Sequence, residues 1–303
     1  MELVFLQQLS ASLNIPQSQI QAVLKLLEEG NTVPFIARYR KEATGSLDEV
    51  QLRNIEEQKQ ALQELEDRRA RILTTIESQD KLTPELKQRI LQASTKAALE
   101  DLYLPYKTKR KTRATTAKQR GLTPLAERIL TQPTEGNPEQ EAKPFLNPEH
   151  ELTETDQVLQ GARDIIAEMV SESPEIRAFV RQHFLEQGII RTEPTKDAKE
   201  QQTKFTQYYD FQEPLANIPS HRFLAIQRGE KEKVLRVHLD VEIPMLLQWI
   251  ERTMHRNPTS PFAQQLQLAI QDGYKRLLAP SVETDVRVEV KRRSDREAVE
   301  IFA

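Results

Sequence analysis

Apolar residues recur every three or four positions along most of the chain, which predicts a mostly α-helical protein. Two stripes with this spacing stand near the N-terminus: Leu3, Leu6, Leu9 and Leu13, followed by Ile20, Val23, Leu24 and Leu27. Pro16 suits a first helical turn, and Gly30 suits the end of the second helix. The pattern therefore favours a multi-helical fold.

A long helix is predicted from Ser46 to about Ser78. Ser46 and Glu49 have the spacing of a capping box, in which each side chain satisfies a free backbone N–H. Gly45 can end the preceding helix because it adopts positive φ without strain. The apolar positions of the long helix are Leu52, Ile55, Leu62, Leu65, Ile72 and Ile76. Most other positions are charged or Gln, so one face is expected to lie in water.

Residues 132–150 interrupt the helical pattern and are interpreted as a linker or long surface loop. The residues that fit poorly inside regular structure are Pro133, Gly136, Pro138, Pro144 and Pro148. The chain then divides into an N-terminal helical domain (1–131), this linker (132–150) and a central helical region (151–303). The central region opens with a predicted helix, whose inward positions are Val158, Ala162, Ile165, Ile166 and Met169.

The hydrophobic period changes in residues 223–241, whose sequence is FLAIQRGEKEKVLRVHLDV. Two apolar runs flank Arg228-Gly229-Glu230. This arrangement predicts one short antiparallel β-hairpin, with Gly229 in its turn. Helices are predicted again from residue 243 to the end of the chain.

The composition narrows the class of protein. Charged residues make up 29% of the 303 positions, and the formal net charge is −3, so any affinity for nucleic acid must come from a local patch. The absence of Cys excludes disulfides and thiolate metal sites. No apolar run is long enough to span a membrane, and the N-terminus lacks the features of a signal peptide. A cytoplasmic protein is expected.

The strongest candidate for a binding site lies in residues 102–121, LYLPYKTKRKTRATTAKQRG. We call residues 107–120 the basic stretch because they carry many cations and no acid. The candidate residues are Lys107, Lys109, Arg110, Lys111, Arg113, Lys118 and Arg120, together with Tyr106 just before them. Such cations bind phosphates, and a tyrosine ring can stack on a base. The alternative is a solvated loop whose cations pair with Glu-rich helices nearby.

A second group of cations lies in residues 34–45, PFIARYRKEATG. Phe35, Ile36 and Tyr39 are spaced for one face of a short helix. We interpret this segment as a helix packed by its aromatic residues, with Phe35 and Ile36 anchoring it to the core. Its cations are Arg38, Arg40 and Lys41. They either bond neighbouring helix carbonyls or carboxylates, or add to the basic stretch in binding a polyanion.

The sequence offers little for catalysis or for a cofactor. Its five histidines are scattered, and no acidic ligand spacing completes a metal site with any of them. Neither a GxGxxG motif nor a Walker loop is present. We therefore expect a protein that is not an enzyme and that uses no metal or cofactor.

Two long motifs are specific enough to indicate a family: NTVPFIARYRKEATGSLDEVQLRNIEE (31–57) and LEDLYLPYKTKRKTRATTAKQRGLTPLA (99–126). Both resemble the bacterial Tex family, the transcription accessory proteins related to a eukaryotic transcription elongation factor. Three further stretches look similar: GARDIIAEMVSE (161–172), YYDFQEPLANIPSHRFLAIQRGEKEKVLRV (208–237) and DREAVEIFA (295–303). The resemblance covers nearly all of the chain.

The resemblance implies a helix-turn-helix-like N-terminal part and a central helical region. Tex proteins continue into an RNase H-like domain, a helix-hairpin-helix module and an OB-fold RNA-binding domain. Those further domains of the same chain are therefore expected partners of this region. The resemblance assigns no catalytic residue to the present sequence. Apolar Ile301 and Phe302 at the end of a predicted helix also favour a chain that continues. A natural terminus packed on the body of the protein is the alternative.

Together, the residues and the resemblance lead us to expect a non-catalytic scaffold of a transcription accessory protein. It would associate weakly and non-specifically with RNA or DNA through the basic stretch. The rival hypothesis is a protein-interaction platform that docks RNA polymerase or another partner and touches no nucleic acid. Binding measured at several salt concentrations separates the two.

Overall fold

The computed structural model describes residues 2–108, 110–199, 202–254 and 256–302. The chain is mostly α-helical, as the hydrophobic pattern predicted. It forms two compact units, one built by the chain up to Leu99 and the other by Glu100–Ala298. The domain limits drawn from the sequence, at 131 and 151, stay a prediction, as does the helix-turn-helix-like character of the N-terminal part.

The first unit is a set of helices, and its apolar residues up to Leu62 share one core. It contains α1 (Glu2–Leu13), α2 (Gln17–Glu28), α3 (Val33–Tyr39), α4 (Lys41–Thr44), α5 (Glu49–Glu77) and α6 (Pro84–Gln92), and α7 (Lys96–Tyr103) spans the boundary. The stripes seen in the sequence meet in this core. Its fully buried members include Leu9, Ile20, Val23, Ile36, Leu52 and Ile55.

The start of α5 differs from the predicted capping box. Asp48, not Ser46, is the N-cap, because its carboxylate accepts a hydrogen bond from Gln51 N at 2.8 Å. The Gln51 side chain in return accepts from Asp48 N at 3.1 Å. Ser46 follows Gly45 into the left-handed region, with φ of 65°, whereas an N-cap needs an extended backbone. The predicted Ser46–Glu49 box is therefore wrong by two residues, although the helix itself is confirmed.

The second unit surrounds a long, central helix, α11. Its elements are α8 (Arg113–Gln119), α9 (Thr123–Thr131), α10 (Pro138–Ala142), α11 (Thr155–Glu172), α12 (Pro174–Gln187), β1 (Ile189–Pro194), β2 (Phe211–Pro214), α13 (Ser220–Lys231), β3 (Leu235–Asp240), α14 (Ile243–Met254), α15 (Ala263–Asp272) and α16 (Ala279–Phe302). A π-helical turn, Gly273–Leu278, joins α15 to α16. Four of the five inward positions predicted for α11 are buried, but Met169 is 48% exposed.

The strands in the described part of the chain form one antiparallel sheet in the order β2-β1-β3. Ile190 of β1 is opposite Glu213 of β2 and Leu239 of β3. Ile190 and Leu239 are both buried and join the core of the second unit. The central strand therefore comes first in the sequence, and each neighbour reaches it through a long connection.

The predicted hairpin at 223–241 is wrong, since α13 continues through Gly229 and only β3 is a strand. Phe223 and Ile226 are buried at helical spacing. Gly229 follows on the same face, where a Cβ atom would lie 2.6 Å from Leu235 Cδ1. The glycine therefore serves close packing and not a turn. The chain reverses instead at Lys233, whose φ is 60°.

Residues 132–150 are part of the second unit. Gln132 is buried, and its side chain donates to Met254 O at 2.8 Å and accepts from Arg256 N at 2.8 Å. Within α10, Ala142 is fully buried. The prolines and the glycine that predicted a linker thus occupy a folded segment with its own short helix.

Candidate nucleic-acid interface

The basic stretch follows a 3-10 turn at Leu104–Tyr106 and includes helix α8. Thr112 caps α8: its Oγ1 accepts from Thr115 N at 3.0 Å, and its own N–H donates to Thr115 Oγ1 at 2.7 Å. Ala114 and Ala117 are buried and turn one face of α8 toward the core. The longer, charged side chains of the stretch are consequently left on the other faces.

The first half of the basic stretch presents cations to solvent. Lys107, Arg110 and Lys111 are exposed. None of the three has an ion-pair partner among the residues that the structure describes. Lys109, which the sequence analysis placed in the same group, lies outside the described residues. We call Lys107, Arg110 and Lys111 the free cations.

The second half of the stretch is engaged inside the second unit. Lys118 Nζ lies 3.1 Å from the buried Glu168 carboxylate, which also accepts from Thr112 Oγ1 at 3.0 Å. Arg120 forms a 3.0 Å ion pair with the exposed Glu151. For Lys118 and Arg120, the alternative of intramolecular pairing therefore applies.

A cleft of 690 Å³ runs beside the second half of the stretch. Lys111, Arg113 and Arg120 line it together with acids and amides of α11 and the preceding loop, among them Glu151, Asp156, Gln157, Gln160 and Asp164. Burial raises the pKa of Asp164, while the charges of Arg276 and Arg113 oppose that shift. Because its walls carry both signs of charge, the cleft is less suited to a polyanion than Lys107 and Arg110, which do not line it.

The tyrosines before the stretch are less available than the sequence indicated. Tyr103 and Tyr106 are only partly exposed, and each has a partner within the structure. Stacking of Tyr106 on a base stays a prediction.

The second cation group lies on α3 and α4 of the first unit. Ile36 anchors α3 as predicted and is fully buried, but the prediction that Phe35 anchors it is wrong. Phe35 is 38% exposed and Tyr39 is 61% exposed, with ring centroids 5.1 Å apart. Two residues one helical turn apart share a face, and here that face is not the buried one. Sequence spacing identified the pair but not the side of the helix.

The cations of this group are also exposed. Within the described part of the chain, Arg38, Arg40 and Lys41 have no ion-pair partner. The Arg40 guanidinium lies 5.7 Å from the centroid of the Phe35 ring, within the range of a cation–π contact. This group belongs to the first unit, and the basic stretch belongs to the second.

Among the residues that the structure describes, no group of three or more His, Asp or Glu side chains is placed to hold a metal ion. None of the described helices has the length and apolar character needed to cross a membrane.

Comparison with known proteins identifies the family. Residues 133–302 match the family described as Tex central region-like, and residues 4–77 match the Tex-like protein N-terminal domain. The chain belongs to the Tex family. The family resemblance read from the sequence motifs is thereby confirmed.

Three relatives place this Tex chain among longer proteins. It is 44% identical to Protein tex of Bordetella pertussis over 78% of this chain and 30% of the relative. It is 37% identical to the transcriptional accessory protein Tex of Neisseria gonorrhoeae over 97% of this chain and 39% of the relative. The human S1 RNA-binding domain-containing protein 1 is 27% identical over 98% of this chain and 31% of its own length. The chain therefore spans less than half the length of these relatives.

Proposed function

We propose that this chain is a non-catalytic, nucleic-acid-binding part of a cytoplasmic Tex-like transcription accessory protein. The observation that carries the proposal is the group of free cations, Lys107, Arg110 and Lys111, which are exposed and have no ion-pair partner in the described structure. The names of two relatives, a transcriptional accessory protein and an S1 RNA-binding domain-containing protein, support the same class of function.

The physical basis is charge neutralisation at phosphates. Each phosphate contacted by a cation releases condensed counterions, so affinity falls with added salt. With about three phosphates contacted, the logarithm of the association constant should fall with log salt at a slope of roughly −2 for a single strand. No base-edge contact is required, and the affinity is expected to be micromolar or poorer. The net charge of −3 makes the local position of these cations decisive.

Charge reversal tests the proposal. The triple variant Lys107→Glu, Arg110→Glu and Lys111→Glu should bind labelled RNA and DNA much more weakly than the parent in fluorescence anisotropy at several salt concentrations. The variant should stay folded, because exposed charges contribute only ~0–1 kcal/mol each to stability. Its circular dichroism spectrum and melting temperature should match those of the parent.

A matched control separates local binding from overall charge. Lys143, Lys196 and Lys275 are also exposed cations of the second unit, without ion-pair partners in the described residues. Changing these three to Glu alters the net charge by the same amount and should leave most of the binding intact. Equal loss in both variants would show that net charge governs binding. Unchanged binding in the first variant would show that the free cations are not the binding site. A parent protein that binds no nucleic acid at low salt would favour the rival platform for RNA polymerase or another protein.

A further inference from the structure

An exposed aromatic pair on the first unit forms a surface that packing does not explain. Val33 and Ile36 of α3 are buried and fix the helix to its core. Phe35 and Tyr39 lie on another face, one helical turn apart, with their rings tilted by 47° and their centroids 5.1 Å apart. Both side chains remain accessible, at 38% and 61% exposure. Two large aromatic rings are thus exposed to solvent on a helix whose buried face is fixed to the core by Val33 and Ile36.

Three cations and one acid, Glu42, lie next to this pair in the sequence. Arg38, Arg40 and Lys41 are exposed, and none forms an ion pair with any described residue. Arg40 stands over Phe35, 5.7 Å from its ring centroid. Gly45, with φ of 68°, then ends α4 one turn later. The aromatic surface therefore lies beside a short segment in which cations outnumber acids by three to one.

We infer that Phe35 and Tyr39, with Arg38, Arg40 and Lys41, form a stacking site for an unpaired base of single-stranded nucleic acid. The inference rests on the proposed function for its ligand class, but it uses different residues in a different unit. Aromatic faces stack on bases regardless of sequence, while the neighbouring cations contact the flanking phosphates. An apolar protein ligand would match the rings but would leave the cations unmatched.

Strand selectivity follows from the same geometry. Bases of a duplex are stacked on one another and cannot lie on a protein ring unless they are unpaired. A base-free strand offers the same phosphates and nothing to stack. The surface should therefore distinguish three ligands of equal length: a single strand, a duplex, and an abasic single strand.

The test compares these ligands on the full chain. The parent should bind a single-stranded decanucleotide about tenfold more tightly than an abasic strand with the same phosphates. The double variant Phe35→Leu and Tyr39→Leu keeps apolar side chains but removes the rings, so it should bind both strands equally. Its salt dependence should match that of the parent. Leu91→Ala, which alters another exposed apolar residue of the first unit, should retain the base preference.

A spectroscopic reporter tests the contact directly. Trp249 is the only tryptophan, so Tyr39→Trp combined with Trp249→Phe places one reporter in the aromatic pair. The single strand should quench its fluorescence, while the abasic strand should not.

The outcomes separate this inference from the proposed function. If the parent binds base-containing and abasic strands equally, the stacking site is disproved and the phosphate contacts of the proposed function stand. If the Leu double variant keeps the full base preference, other rings are responsible and the inference is wrong. If the parent binds no strand at low salt, both proposals fail, and this aromatic surface becomes a candidate for docking a protein.

Discussion

Asp101 shows how single residues organise the second unit. Its carboxylate is almost fully buried and accepts hydrogen bonds from Arg177 Nε at 2.6 Å and from Arg181 Nη2 at 2.5 Å. Arg177 also reaches the partly exposed Asp285 at 2.8 Å. Two buried guanidinium groups thus depend on Asp101 for compensation, because isolated charges are costly to remove from water.

We predict that Asp101→Asn destabilises the second unit by about 3 kcal/mol, since it leaves two buried cations without their main counter-charge. Urea unfolding followed by Trp249 fluorescence measures this loss of stability. Trp249 reports on the second unit because its ring stacks on that of Phe179, with the ring centroids 3.7 Å apart.

Asp285→Asn is the matched control. It changes a carboxylate that contacts the same arginines but is more exposed to water. Burial already raises the pKa of Asp285, against the lowering effect of Arg177 and Arg181. Its neutral isostere should therefore cost well under half as much as the change at Asp101. Equal losses at the two positions would contradict the role assigned to burial.

At the residue scale, the sequence shows where the charged side chains are but not which of them form ion pairs. It identified the basic stretch, but some cations of that stretch are paired in the structure and others are not. Lys118 pairs with Glu168, 50 residues away in sequence, and Arg120 pairs with Glu151, 31 residues away. No local pattern indicates such distant partners. The sequence also could not predict that Phe35 and Tyr39 are exposed. Their spacing shows that they share one face of a helix, but it does not show whether other residues cover that face.

At the element scale, the contact between α11 and the π-helical turn depends on one glycine. Gly273 has a helical φ of −58°, so an alanine there would ordinarily favour the helix by about 1 kcal/mol. A Cβ atom at this position, however, would lie 2.8 Å from Ala167 O and 3.0 Å from Ala167 Cα of α11. Backbone atoms inside a packed helix pair cannot move aside as a flexible side chain can.

Gly273→Ala is therefore expected to lower the free energy of unfolding by about 1–2 kcal/mol, because overpacking exceeds the gain in helix propensity. Gln271→Ala, on an exposed position of the preceding turn, provides the comparison and should be neutral. Urea unfolding of both variants measures the two free energies of unfolding. A Gly273→Ala protein more stable than the parent would show that α11 and the π-helical turn move apart easily to admit the Cβ atom.

The elements that the sequence predicted well have long, regular periods. Helix α5 was expected over about 46–78 and occupies Glu49–Glu77. Short apolar runs were misassigned because four or five residues fit a helix and a strand equally well. The run that begins at Phe223 belongs to α13, and β1 and β2 were not recognised at all. Their pairing joins residues far apart in sequence, which local periodicity cannot reveal.

At the scale of the whole molecule, the two units have separate apolar cores. One core contains Ile20, Leu52 and Ile55 from the helices before residue 78. The other gathers α11, the sheet and the later helices, with Ile166, Ile190 and Phe223 among its members. A chain with two cores need not unfold in a single cooperative step. Local stability can then differ between the units, and amide hydrogen exchange reports such differences.

We predict that Ile55→Ala weakens the first unit selectively. Ile55 is fully buried, and removing a buried isoleucine side chain costs about 2–5 kcal/mol through lost burial and a new cavity. In hydrogen exchange followed by mass spectrometry, peptides from α2 and α5 should exchange faster in the variant, whereas peptides from α11 should keep the parental rate. Asp101→Asn should produce the reverse pattern. If either substitution accelerates exchange equally in α5 and α11, the two cores form one cooperative unit, because a local cavity would then lower the stability of both together.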